Sequence, residues 1–261
     1  MQFTRAIVRR PARNFAGGLS AAGEGPPDFE KALAQHAAYC EALQTCGLHL
    51  TYLEPDPAYP DGPFVEDTAI VSGRGAIIAR PGAPSRGGEV DSVAVPLRDF
   101  YAHVQRIAAP GTVDGGDVCE VDGHFLIGVS ARTNESGAEQ LAEHLRHMNY
   151  TAGLVDIRAA PALLHLKTGV AYLGDGAWVL AADLPESLKS WSGLRGRRLI
   201  TVPRDESYAA NCVRINDAVL MAAGYPRTAA AVCDIGFRPI FLDMSEFRKM
   251  DGGLSCLSLR F

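Results

Sequence analysis

Five polar residues recur along this chain at nearly even intervals of about 45–50 positions: Glu66, Asp114, His165, Asn211 and Cys256. A thiol, an imidazole and a carboxylate are the parts of thiol catalysis. The cysteine attacks, the histidine activates sulfur or moves protons, and the carboxylate fixes the histidine tautomer. Each residue alone has a plainer explanation. Free cysteine is among the most buried and inert residue types. His165 sits in the apolar run Leu163-Leu164-His165-Leu166, where a hydrogen-bonded structural imidazole fits equally well. What favours chemistry is the spacing, because an architecture of repeated units turns such spacing into convergence.

Other polar residues describe a ligand. Glu66 and Asp67 stand together in Phe64-Val65-Glu66-Asp67-Thr68, read as a strand, where consecutive side chains face opposite sides. Burying either carboxylate alone is costly, and a planar guanidinium with several N–H donors is a ligand able to satisfy both from a bent strand. Asp114-Gly115-Gly116-Asp117 offers a second pair and reads equally as a turn. Arg86 and Arg132 each precede an expected helix. A cation there opposes the macrodipole, so such an arginine often has an anion to bind, although a solvated arginine is the commoner case. Together these residues suit a molecule with a guanidinium at one end and a carboxylate at the other.

The elements that must position them follow one order. Phe3 to Val8 reads as a strand, residues 13–25 as a glycine-rich lid loop, and Phe29, Leu33, Ala37, Cys40 and Leu43 as the apolar face of a helix ending at Gly47. Strand Leu48–Leu53 follows. Helix then strand returns at Glu89–Tyr101 with Val104–Ile107, at Asn134–Met148 with Gly153–Ile157, after Pro185 with Leu199–Val202, and at Arg227–Ile235 with Arg238–Leu242. Two short strands fit between successive units, as in Asp117–Val121 with His124–Gly128 and Asn211–Ile215 with Ala218–Met221. A final strand carries Cys256 after the turn Asp251-Gly252-Gly253 and counts with the first unit. Five units of strand, strand, helix, strand predict a closed α/β ring pointing equivalent strands at one axis. An ordinary α/β sheet with accidental spacing is the alternative.

Composition narrows the class. The chain has 261 residues, 47% of them hydrophobic, enough for one large domain spanning 1–261. A net charge of −5, with basic clusters only at Arg9-Arg10 and Arg195–Arg198, argues against nucleic acid. No apolar run is long enough for a signal peptide or membrane span, which predicts a cytosolic protein with no membrane partner. The six cysteines lack paired spacing, so neither a disulfide framework nor a structural zinc site is expected.

At Phe64-Val65-Glu66-Asp67, Gly116-Asp117, Ser130-Ala131-Arg132-Thr133-Asn134, His165-Leu166-Lys167-Thr168, Glu206-Ser207-Tyr208-Ala209-Ala210-Asn211-Cys212 and Asp251-Gly252-Gly253-Leu254-Ser255-Cys256 the sequence resembles the dimethylarginine dimethylaminohydrolases. These belong to the guanidine-modifying superfamily, and the resemblance covers essentially the whole chain. It implies the pentein fold, a five-bladed α/β propeller, and hydrolysis of Nω-methylated arginines to citrulline and a methylamine. By that resemblance Cys256 is the nucleophile, His165 the general acid and base, and Asp114 its orienting carboxylate. Glu66 and Asp67 hold the guanidinium, Asp61 and the Met250 carbonyl take the α-amine, Arg86 and Arg132 bind the carboxylate, and Leu19 contributes backbone from the lid. No metal or cofactor is implied, though zinc could bind Cys256 and His165 adventitiously. The partner is a small-molecule substrate, and a homodimer is compatible with the resemblance. Two rivals remain: an arginine deiminase-like hydrolase of another guanidine, although deiminases are considerably longer, and a non-catalytic guanidine-binding protein on the same ring.

Overall fold

Each expected unit forms one three-stranded sheet in the computed structural model, which describes residues 2–261. Strand β1 (Arg5–Arg9) is followed by helix α1 (Phe29–Thr45) and β2 (His49–Leu53). The second sheet contains β3 (Ala69–Ser72), β4 (Gly75–Ile78) and β5 (Val104–Arg106), with α2 (Glu89–Phe100) before its last strand. The third contains β6 (Val118–Val121), β7 (His124–Val129) and β8 (Thr151–Asp156), with α3 (Glu135–His147). A single turn, α4 (Leu166–Gly169), leads into β9 (Val170–Gly174) and β10 (Ala177–Ala181); α5 (Glu186–Lys189) and β11 (Arg198–Val202) complete the fourth sheet. The fifth holds β12 (Val213–Ile215), β13 (Ala218–Ala222), α6 (Pro226–Asp234) and β14 (Arg238–Leu242). After α7 (Ser245–Arg248), β15 (Leu259–Arg260) pairs antiparallel with β1.

The pairing follows from connection length. Hairpins make the first and second strands of a sheet antiparallel, whereas the helical crossovers return the third strand parallel to the second. At the tip of the β6–β7 hairpin, Asp122 and Gly123 take φ of 51° and 83°, the left-handed pair that a two-residue hairpin turn requires. Middle strands such as β4 and β10 are buried at every position and read as apolar runs, while outer strands such as β2 are half exposed. The first strands face inward: β15 packs beside β3, and β9 lies between β6 and β12. This is the pentein fold, a five-bladed α/β propeller.

Helix α3 shows the local logic. Asn134 caps it by accepting from the Gly137 N–H at 2.8 Å. Its buried residues Gly137, Ala138, Leu141, Ala142 and Leu145 then form the stripe that covers its sheet. The helix expected after Pro185 is reduced to the single turn of α5 and a 3₁₀ turn at Ser192–Leu194. Glycines interrupt that stretch, and Gly196 takes a φ of 68°. No helix among the described residues is long and apolar enough to cross a membrane.

One class of expectation is corrected. Glu66 and Asp67, His165 and Cys256 do not lie within strands. Each precedes an inner strand on or beside one turn of helix: Val65–Thr68, Leu166–Gly169 with His165 at its N-cap, and Ser255–Leu257. Asp114 likewise precedes Gly115–Asp117, and Asn211 follows the 3₁₀ segment Arg204–Ala210.

Candidate active site

Those turns decide which end of the axis each side chain reaches. Neighbours on one helical turn project about 100–120° apart, so adjacent residues separate onto opposite sides of the ring. Asp67, Asp114, His165 and Cys256 line a front cleft of about 230 Å³, together with Leu19, Asp61, Phe64, Arg86, Arg132, Leu164 and Met250. Glu66, Gly115, Lys167 and Ser255 line a rear cavity instead. The structure therefore brings nine of the ten expected residues to one cleft and leaves Glu66 outside it. Glu66 accepts from Lys167 Nζ at 2.7 Å, Arg260 Nη2 at 3.0 Å and Ser255 Oγ at 2.7 Å. This layer is the floor between the two cavities.

His165 is held from several directions. Its Nε2 lies 3.0 Å from Asp114 Oδ2, so the aspartate spans the gap, and Asp114 Oδ1 accepts from the Gly82 N–H at 2.8 Å. Its Nδ1 lies 4.0 Å from Asp67 Oδ1. Asp117 was legible only as half of a carboxylate pair. It accepts from Ser130 Oγ, Thr133 Oγ1 and the Leu166 N–H at 2.6, 2.7 and 2.9 Å, pinning the residue after the histidine. A Cβ at Gly116 would stand 2.6 Å from His165 Nδ1, so only glycine leaves the ring room there.

Cys256 is half-buried, and its Sγ accepts weakly from the Gly253 N–H at 3.4 Å. Asn211 fixes its turn: Oδ1 accepts from the Ser255 N–H at 3.0 Å, while Nδ2 donates to the Lys167 carbonyl at 2.9 Å. Periodicity flagged Asn211 without giving it a task.

The two expected carboxylate-binding arginines differ. Arg86 is buried and already opposed by protein carboxylates, with Nη1 2.6 Å from Asp67 and Nη2 2.8 Å from Glu89. Arg132 is half-buried, and its guanidinium makes no hydrogen bond among the described residues. Asp61 accepts from the Leu19 N–H at 3.0 and 3.2 Å. The loop carrying Leu19 is tied down by Phe15, packed on Phe64 and Phe247, and by the Arg248–Glu24 pair at 2.6 Å.

Electrostatics set the protonation states. Burial disfavours the His165 cation, but Asp67, the Asp114 hydrogen bond and Asp117 outweigh it and raise its pKa to about 9. Burial likewise disfavours ionised Asp114, yet the His165 hydrogen bond holds its pKa below the usual value. The two form an imidazolium–carboxylate pair at neutral pH. Burial, followed by the charges of Glu66 and Asp67, pushes the Cys256 thiol up to about 12. Burial opposes the Arg86 cation, but Asp67 and Glu89 keep it firmly protonated. Donor atoms of Asp67, Asp114 and His165 lie within 4.8 Å of one another. These groups are already bonded to Arg86, the Gly116 N–H and each other, and a neighbouring arginine opposes a metal cation.

A thiol, an imidazolium and a carboxylate at the mouth of a five-bladed α/β propeller define a cysteine-dependent site of the pentein class. A family model described as arginine deiminase matches residues 59–187. The N(G),N(G)-dimethylarginine dimethylaminohydrolase of Pseudomonas aeruginosa is 45% identical over 260 residues, 99% of this chain and 100% of the relative. The enzyme of the same name from Streptomyces coelicolor is 34% identical over 264 residues, 100% of this chain and 98% of the relative. A solved structure of the Pseudomonas aeruginosa protein, a cysteine-to-serine mutant complexed with citrulline, superposes with a TM-score of 0.95 at 45% identity and full coverage of both chains. This chain belongs to the dimethylarginine dimethylaminohydrolase family.

Proposed function

We propose that this protein hydrolyses asymmetric dimethylarginine and monomethylarginine to citrulline and dimethylamine or methylamine, through a covalent thiouronium on Cys256. The observation that carries this reading is the 3.0 Å His165–Asp114 pair in the same cleft as Cys256 and Asp67. In this reading the substrate guanidinium meets Asp67, while Glu66, paired with Lys167 and Arg260 on the far side, stays out of contact with it. Asp61, the Met250 carbonyl and the Leu19 backbone take the α-amine under the lid. Arg132 takes the carboxylate, and Arg86 adds positive charge behind it. We further propose a cytosolic protein, a reading with which a homodimer is compatible.

The chemistry follows from the charges. Asp67, one of the carboxylates that keep the free thiol neutral, is the one a bound guanidinium would meet, so substrate favours thiolate formation, with the thiol proton lost to solvent. The thiolate attacks the guanidinium carbon, and imidazolium His165 protonates the departing amine. A planar thiouronium remains. Neutral His165 then takes a proton from water, which attacks the same carbon and expels Cys256 as thiolate.

Citrulline assays with asymmetric dimethylarginine, monomethylarginine and arginine test the reading. Turnover of the methylated substrates with little from arginine is expected; arginine preference would indicate a deiminase, and no turnover a binding protein. Arg132→Ala is expected to lower kcat/KM for methylarginine by about 10- to 150-fold, the worth of roughly 1.5–3 kcal/mol in one charge-assisted hydrogen bond. Agmatine lacks the carboxylate and never used the contact, so its turnover should fall far less. Equal fractional losses would assign Arg132 to the fold.

The raised His165 pKa sets a basic limb. Donation to the leaving amine requires imidazolium, so kcat should decline as pH rises through about 9. The same shift carries a stability contribution that is fully present below pH 6.5 and lost as pH rises through about 9. Steady-state rates and thermal unfolding across this window check both, and activity still climbing above pH 10 would remove His165 as the acid.

A further inference from the structure

The rear cavity is larger than the cleft, about 470 Å³, and the mechanism uses none of it. Inner strands of all five sheets supply its walls, with Val118, Val170, Val213 and Leu259 among the lining residues. At its inner end two cations, Lys167 and Arg260, face the single carboxylate of Glu66 at 2.7 and 3.0 Å. That leaves one positive charge in surplus on the floor, while further out Arg214, itself paired with Asp175, joins Glu120 and Asp122 on the lining.

Lys167 and Arg260 are not equivalent. Arg260 Nη1 donates to the Ser255 carbonyl and to the carbonyl and hydroxyl of Ser258 at 3.0, 2.9 and 2.8 Å, so that guanidinium is committed to the protein. An ammonium has three N–H donors, and among the described residues only Glu66 accepts from Lys167 Nζ. Its side chain is 18% exposed, and the lysine lines the cavity. A half-buried cation with unused donors facing a cavity is suited to bind an anion. Glu120 and Asp122, further out on the lining, set a limit on that anion by repelling multiply charged species. Burial raises the Glu120 carboxyl pKa to about 7, leaving this limit partial at neutral pH.

We propose that the rear cavity is a binding site for a small monocarboxylate, its carboxylate on Lys167 and its apolar tail against Val118, Val170 and Val213. One surplus charge matches one negative charge, and the walls reward a hydrocarbon tail. Each methylene buried there should tighten binding by about 4-fold. The site stands apart from the arginine-derived ligand of the front cleft and does not depend on the reaction proposed there.

Titration of methyl-labelled protein with acetate, butyrate and hexanoate tests it, with 1-hexanol and inorganic phosphate as controls. Saturable shifts in the Val118, Val170 and Val213 methyls are expected, strengthening with chain length and weak for both controls. Lys167→Met should weaken hexanoate by at least about 10-fold, the scale of one lost charge-assisted contact, and Lys167→Arg should restore much of it. The methyl spectrum of each variant reports folding in the same experiment. Arg132→Ala, which removes the free cation of the front cleft, should leave these shifts intact. Unsaturable shifts, equal binding of 1-hexanol, binding lost with Arg132, or hexanoate unaffected in folded Lys167→Met would each overturn the proposal.

Discussion

Cys256→Ser should abolish citrulline formation, a loss on the order of 10⁶-fold, the scale seen when a covalent nucleophile is removed from a hydrolase. A hydroxyl ionises far above the ~8.5 of a free thiol. In this cleft even the thiol is held up to about 12 by burial and by Glu66 and Asp67, so a hydroxyl there stays un-ionised even beside a bound guanidinium. Binding should survive, because Asp67, Asp61 and Arg132 are untouched and the change swaps a single atom. Calorimetry on the mutant should show methylarginine affinity near the wild-type KM-derived value, and mass spectrometry should show no adduct. Wild-type-like turnover by the mutant would end the thiol mechanism.

His165→Ala should cost about 10²–10⁴-fold through lost acid–base catalysis, and it should change what accumulates. Without imidazolium the amine departs slowly. Without neutral imidazole the water is not activated, so enzyme that completes the first step stalls at the thiouronium. Quenched samples should carry a covalent adduct absent from wild type at the same time point. Asp114→Asn keeps the ring but exchanges the carboxylate that stabilises its cation, so the basic limb should move down from about 9. Unimpaired steady-state turnover in His165→Ala would remove the histidine from the mechanism.

How much of this was legible depended on length of pattern. Helix α3 follows from a long stretch in which the period is unmistakable, and the C-terminal strand completing the first sheet follows from counting units. The junction turns were not legible. Three or four residues carry no periodicity, and the strand alternation applied to Glu66 and Asp67 does not hold on a helical turn, so nothing in residues 64–68 said that Asp67 alone would face the cleft. Arg86 shows a second limit. Its partners Asp67 and Glu89 lie 19 positions before and 3 after it, and nothing in the local sequence says that the anion awaiting that arginine is the protein's own. Asp117 escaped for a similar reason, since its hydroxyl donors arrive from the neighbouring strand-to-helix loop at Ser130 and Thr133.

The floor of Glu66, Lys167 and Arg260 closes the inner end of the front cleft. The loop that carries Leu19 borders the other end, the side from which substrate, amine, water and citrulline are expected to exchange. The amine has to leave before water can take its place beside the thiouronium, so traffic orders the half-reactions without any dedicated switch. An amine supplied in excess competes with water for the same berth and drives the first step backwards, re-forming a substituted arginine. Product inhibition by dimethylamine therefore follows from the shared berth, and its strength should track the ratio of free amine to water at the thiouronium carbon.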